Sequence, residues 1–158
     1  MERIEFYRER DTYGEFSNFA PFPVEIDGKC WPTTEHYFQA QKFQGTDREE
    51  AIRFAASPSI AAKMGRSRGF PLRSDWEEVK DEIMYCAVMA KFTQHTKLRG
   101  LLLATGGAEI IEHTRNDSYW ADGGDGTGRN QLGKTLMQVR EEMRRHSLKD
   151  ESQSKVVS

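Results

Sequence analysis

Two cysteines in 158 residues, Cys30 and Cys86, are too few and too far apart for a disulfide framework or a metal-ligand pair. Reduced thiols in a cytoplasmic or nuclear setting are the expectation. No apolar run approaches the roughly 20 residues a membrane-spanning helix needs, and the Met-Glu-Arg-Ile-Glu start has no secretory apolar segment. An intracellular soluble protein with no membrane partner follows. Neither sign of charge dominates: the formal net charge is -2, which excludes bulk attraction to nucleic acid or anionic lipid. Any phosphate must be recognised locally, by placed cations and helix ends. His36, His95, His113 and His146 show no H-E-x-x-H spacing, so no metal is expected. There is no G-x-S-x-G nucleophile elbow, no Walker loop and no internal repeat.

What is present suits one soluble domain. Hydrophobic residues make up 37% of the chain and charged residues 30%, enough apolar matter for a core without disulfide or metal support. The stretch Trp31-Pro32-Thr33-Thr34-Glu35-His36-Tyr37-Phe38-Gln39-Ala40-Gln41-Lys42-Phe43 organises the rest. Proline and two threonines form a helix start, with a threonine oxygen free to cap unpaired amides. Glu35 falls in the first turn, where those amides favour an ionised carboxylate. Glu35, Gln39 and Lys42 share one stripe at the helical period, while Tyr37, Phe38, Ala40 and Phe43 spread around the other sides. A carboxylate, an amide and an ammonium on a mostly buried helix need each other or a ligand; the alternative is a solvated stripe.

Around this helix the elements follow in order. Ile4 to Tyr7 reads as a strand, and Val24-Glu25-Ile26, Asp27-Gly28, Lys29-Cys30-Trp31 as a hairpin. Asp47 to Ala56 and Ser57-Pro58 to Met64 read as helices. Gly65-Arg66-Ser67-Arg68-Gly69-Phe70-Pro71-Leu72-Arg73 is a basic loop, either solvated or a phosphate holder. Ser74-Asp75-Trp76-Glu77 has the form of a capping box, opening a helix to about His95. Lys80 and Lys91 lie about 20° apart in the apolar arc of that helix. They either snorkel past the core edge or present a desolvated amine to a pocket.

Lys97 to Leu103 reads as a shorter helix and Ala108 to Glu112 as a strand. The segment Asn116 to Asn130 holds four glycines within six residues and cannot be regular. It leads into a helix from about Arg129 to Arg145, and a glycine loop ending at a helix start is an expected anion site. Trp120 and Asp122 beside it supply a stacking plate and a carboxylate, as a base or ribose site needs. Ser147 to Ser158 is polar and aperiodic, and is expected to be a disordered tail.

Phe16-Ser17-Asn18-Phe19, the Trp31–Phe43 stretch, the Trp76…Lys80…Met84…Lys91-Phe92 helix, Trp120-Ala-Asp122-Gly123-Gly124 and Asn130-Gln-Leu-Gly133-Lys-Thr-Leu-Met137-Gln-Val-Arg140 together resemble the NADAR (YbiA-like) family. The likeness spans about residues 4 to 145. One departure is Ala121, where many relatives carry glycine. The resemblance implies a mostly helical α+β fold in a single compact domain with a small hairpin or sheet, over residues 1–146. It also implies N-glycosidase activity, cleaving the bond between an anomeric ribose carbon and an exocyclic amine. Family substrates are phosphoribosylamino-pyrimidine intermediates of riboflavin synthesis in one branch and ADP-ribosylated guanine, free or in nucleic acid, in another. Asn18, Glu35, Trp120, Asp122 and Asn130 carry over as pocket residues, with a lysine among Lys42, Lys80 and Lys91. Phe19, Trp31, Arg66, Gly123 and Gly124 complete the candidate binding set. No cofactor is implied, and nothing assigns an oligomeric state.

Two chemical routes stay open at this stage. An ionised Glu35 suits stabilisation of oxocarbenium charge as the amine leaves. A neutral lysine amine would instead exchange onto the ring-opened sugar as a Schiff base. A non-catalytic ADP-ribose- or nucleotide-binding module is the alternative from another class.

Overall fold

The computed structural model describes residues 2–157, with side chains to Leu148. The fold is α+β and mostly helical, with six α-helices and two two-stranded sheets among the described residues. The residues group into two compact units, one of residues 6–95 and the other of residues 2–5 with 96–157.

In the first of these units, β2 (Val24–Ile26) and β3 (Lys29–Trp31) form the expected antiparallel hairpin, pairing Val24 with Trp31 and Ile26 with Lys29. Asp27 and Gly28 both take positive φ at its turn, the conformation that Asp-Gly accepts. The hairpin delivers the chain into α1 (Thr34–Gln41). Thr33 caps it, accepting the His36 amide and meeting His36 Nδ1 at 2.8 Å. Helix α2 (Asp47–Arg53), α3 (Pro58–Arg66) and α4 (Trp76–Gln94) pack against α1, so that every residue of α1 is buried. Val24, Trp31, Tyr37, Ala40, Phe43, Ile52, Ala61 and Ala87 form the core between them.

The α4 start differs from the expected capping box. Asp75, not Ser74, occupies the cap position and makes no side-chain cap. Its carboxylate is taken by Arg73, through Nε to Oδ1 at 2.6 Å and Nη2 to Oδ2 at 3.1 Å. A bidentate arginine outcompetes a backbone amide for the same oxygens.

In the other unit, α5 (Thr96–Ala104), β4 (Glu109–Glu112) and α6 (Gln131–Val157) bury Leu98, Leu102, Ile110, Leu132, Leu136, Val139 and Met143. β1 (Arg3–Phe6) pairs with β4. Arg140 reaches from α6 to Thr105 Oγ1 at 2.9 Å and the Ala108 carbonyl at 2.8 Å, tying down the turn before β4. Helix α6 runs on to Val157, beyond the expected end near Arg145, so the expected tail begins as helix. No proline or glycine lies between Ser147 and Val157 to stop it. Ser158 lies outside the described residues. Among the described residues no helix is long and apolar enough to cross a membrane.

Two glycines test this packing. A methyl at Gly133 would overlap the Ile110 carbonyl oxygen and the Asn130 amide, whereas one at Gly100 on α5 meets nothing. Gly133→Ala is expected to lose about 1–3 kcal/mol, as overpacking does. Gly100→Ala should gain about 1 kcal/mol from helix propensity. Urea unfolding midpoints of the two variants check both signs.

Candidate functional site

The buried polar stripe on α1 is real. Glu35 is 8% exposed, Gln39 6% and Lys42, which ends the helix, 8%. Gln39 Nε2 donates to Glu35 Oε1 at 2.7 Å, one turn apart. The Glu35 amide donates to the Asn18 carbonyl at 3.2 Å, so the loop before the hairpin is stitched to the start of α1. The Asn18 side chain has a partner at each end: its Oδ1 accepts Thr34 Oγ1 at 2.8 Å and its Nδ2 meets the Met84 sulfur at 3.4 Å. Phe19 beside it is half-buried, with its amide on Ser17 Oγ.

The three candidate lysines have three different surroundings. Lys42 donates to the Gly65 carbonyl at 3.3 Å and sits near the rings of Phe38 and Trp76, 6.0 and 5.8 Å from their centroids. Burial brings its ammonium down to about 8, followed by the like charge of Arg68. Glu35 pulls the other way, while Arg66 and Lys80 add to the lowering. Lys91 is 1% exposed, donates to the Ser17 carbonyl at 2.8 Å and lies over Phe22 and Phe92. Burial brings it down to about 7, weakly opposed by Glu15. Lys80 bonds Glu77 Oε2 at 2.6 Å, one turn back on α4, with the glutamate largely exposed.

Lys80 and Lys91, both candidates for a reactive amine, thus have different partners. Lys80 is a mostly covered side chain paired with an exposed glutamate, and Lys91 a buried amine bonded to the Ser17 carbonyl. Trp31 also departs from expectation. It is a core residue, 2% exposed, edge-on to Tyr37 at 5.3 Å, so its faces are spent on packing and not on a solute. Arg66, at the end of α3, and Arg68 after it are exposed, with Arg68 Nη1 on the Gly65 carbonyl.

In the other unit the glycine loop is built around Asp122, 3% exposed. Its Oδ2 meets His113 Nδ1 at 2.7 Å, and its Oδ1 accepts the amides of Thr114 at 3.2 Å and Gly124 at 2.9 Å. Burial alone would push this carboxyl up. The His113 bond and the two amides outweigh it and hold the carboxyl below its usual range. Asp122 in turn raises His113. Gly123 and Gly124 take positive φ, and the Gly123 amide reaches the Asp117 carbonyl.

At the α6 start, where an anion site is expected, loop carbonyls take the leading amides. The first amides of the helix are already committed: Gln131 donates to the Tyr119 carbonyl and Leu132 to the Trp120 carbonyl, both at 3.0 Å. Just before them, Asn130 donates to the Ala121 carbonyl at 2.9 Å. Asn130, at φ 52, sends its Oδ1 to the Glu112 amide and its Nδ2 to the Ile110 carbonyl, so it completes the edge of β4, and it also borders the cavity beside the loop. Ala121 is wholly buried. Trp120 is half-buried and edge-on to Tyr119 at 4.9 Å. A cavity of about 200 Å³ opens beside this loop, with Arg3, Asp122, Arg129 and Lys134 among its walls. Among the described residues no cluster of histidine, cysteine or carboxylate side chains could hold a metal ion, and both cysteines are free.

The fold that carries this buried stripe is mostly helical α+β, and its relatives are enzymes. Residues 5–144 match the NADAR domain. The chain is 56% identical to the N-glycosidase YbiA of Escherichia coli, over 89% of this chain and 88% of that protein. It is 42% identical to a riboflavin biosynthesis protein of Vibrio vulnificus, over 91% of this chain and 39% of that one. The NMR structure of the Escherichia coli protein YbiA superposes with a TM-score of 0.87 at 54% identity, covering 93% of this chain and 88% of that one. This chain belongs to the NADAR family.

Lys91 has a consequence for stability. An unfolded chain holds its proton up to the ordinary value of 10.5, while the folded chain has lost it above about 7. The unfolded state binds more protons between those values, so stability rises with pH across that window. Lys91→Met should flatten that rise. The difference between wild type and variant, from urea midpoints at about pH 7.5 and 9.5, is expected to be on the order of 2 kcal/mol.

Proposed function

We propose that this chain removes the sugar from a phosphorylated N-riboside in the cytoplasm, with a phosphoribosylamino-pyrimidine as substrate. It is an N-glycosidase, a hydrolase acting on N-glycosyl bonds, as its relatives are. The pyrimidine substrate is favoured because relatives from Vibrio vulnificus and Zea mays are named riboflavin biosynthesis proteins. The observation that carries the reading is the charge around the α1 stripe: Lys42 feels Arg66, Arg68 and Lys80 against the single carboxylate of Glu35. Arg66 and Arg68 beside this stripe suit a substrate that brings negative charge of its own.

In this reading Glu35 and Lys42 act together. The C1 to ring-oxygen bond breaks, the oxygen keeps the electron pair and takes the exocyclic N–H proton, and the neutral Lys42 amine adds to the imine so formed at C1. The tetrahedral carbon expels the aminopyrimidine, which takes a proton relayed by Glu35, and leaves a Lys42 imine. Water adds to that imine, and the sugar phosphate departs as aldehyde, restoring the amine. The lowered basicity of Lys42 raises its neutral fraction near neutral pH. Arg66 and Arg68 hold the phosphate. In the other unit, Asp122 fixes the glycine loop through the Thr114 and Gly124 amides.

The test pairs turnover with trapping. Glu35→Gln keeps size and hydrogen bonding while removing charge, and is expected to cost about 10² or more in kcat with the fold retained. Borohydride added during turnover should leave a sugar phosphate reductively fixed to Lys42, located by peptide mass spectrometry. Product formation without any lysine adduct would favour direct departure through an oxocarbenium ion. Release of ADP-ribose from ADP-ribosylated guanine, with no action on the pyrimidine, would replace the proposed substrate.

A further inference from the structure

Gln39 has one end satisfied and one end bare. Its Nε2 is 2.7 Å from Glu35 Oε1, while its Oε1 is buried with no hydrogen-bond partner among the described residues. An amide can be turned over so that its oxygen and nitrogen exchange places. Here the exchange would aim an oxygen at a carboxylate, which accepts and cannot donate when ionised. The orientation is therefore dictated by Glu35, and the bare oxygen is its consequence.

The bare oxygen also has a neighbour that makes room for it. Gly65, in the last turn of α3, faces the Gln39 side chain. A methyl there would overlap Gln39 Oε1 outright and lie 2.7 Å from its Cδ and 2.9 Å from its Cβ. The same glycine offers its carbonyl to Lys42 Nζ and to Arg68 Nη1. One backbone position on α3 thus sets both the place left for the Gln39 amide and the acceptor that holds the Lys42 amine.

We infer that Gln39 and Gly65 are positioning residues for the N-glycosidase reaction: Gln39 fixes the Glu35 carboxylate by its amide nitrogen, and Gly65 supplies the space in which that amide lies. The inference rests on Glu35 and Lys42 being the reacting pair. Gln39 touches no substrate in this arrangement and acts only through Glu35. Its loss should therefore lower kcat and leave KM in place, the pattern of an interaction that matters in the transition state. A residue that acts through another also has nothing left to do once that other is gone.

The experiment uses the full chain and a phosphoribosylamino-pyrimidine. Gln39→Met keeps length and bulk while removing the donor, and is expected to lower kcat by about tenfold to a hundredfold with KM within about twofold, as for one hydrogen bond to a charged group. Gly65→Ala reaches the same amide from the opposite helix and should reproduce that pattern, which covers the case that the methionine variant folds poorly. In a Glu35→Gln background, Gln39→Met is expected to add less than about a twofold further loss, read from single turnovers. Wild-type kcat in folded Gln39→Met or Gly65→Ala would overturn the inference. So would a full additional loss in the Glu35→Gln background, since a packing role gives additive effects. If Glu35→Gln itself turns over normally, the reading of Glu35 fails and this inference falls with it. If Glu35→Gln is inactive while Gln39→Met is normal, only this inference falls.

Discussion

An eight-residue helix with no solvent-facing side is the constraint on which the rest depends. Helix α1 carries Glu35 and Gln39, and Lys42 follows at its end; all three lie inside the fold. Taking a carboxylate and an ammonium out of water costs several kcal/mol each unless partners are found. The partners are specific. Gln39 meets Glu35, the Gly65 carbonyl meets Lys42, and the Asn18 carbonyl takes the Glu35 amide. Loop, hairpin, α3 and α4 all close on this helix, which explains why the residues around it are aromatic and its neighbours small. The result is a pair of opposite groups held ready inside the fold, one acceptor-only and one a base of reduced strength.

Lysine is used three ways within one unit, and tertiary burial separates them. Lys91 is the most deeply buried, yet its amine is spent on the Ser17 carbonyl and enclosed by phenylalanine rings. Lys80 shares its helix face but pairs with Glu77. Lys42 ends the Glu35 stripe and feels the charges of Arg66, Arg68 and Lys80. A low pKa is therefore no sufficient mark of a reactive amine here, because Lys91 has the lower value and no free approach.

Much of this was legible in the sequence, for identifiable reasons. The 3.6-residue period placed Glu35, Gln39 and Lys42 on one stripe, Thr33 announced the cap, and Asp27-Gly28 announced the hairpin. The α+β class and the family followed from long motifs in order. What was not legible depends on competition between partners far apart or closely packed. Asp75 could not cap α4 because Arg73 holds its carboxylate. The α6 amides bind loop carbonyls from Tyr119 and Trp120, which no local pattern reveals. Trp31 and Asn130 look like ligand groups by type, yet one fills the core and the other completes the edge of β4.

The central claim is that Lys42, not its neighbours, is the amine kept weakly basic beside Glu35. Selective 13C labelling of lysine Cε, with Lys42→Met to assign its signal, allows its titration to be followed by NMR in the intact chain. The account predicts a midpoint of about 8 for Lys42, well under the ordinary 10.5. A Lys42 signal that titrates at the ordinary lysine value would contradict it, since an exposed, fully basic ammonium has no place in the buried stripe described here.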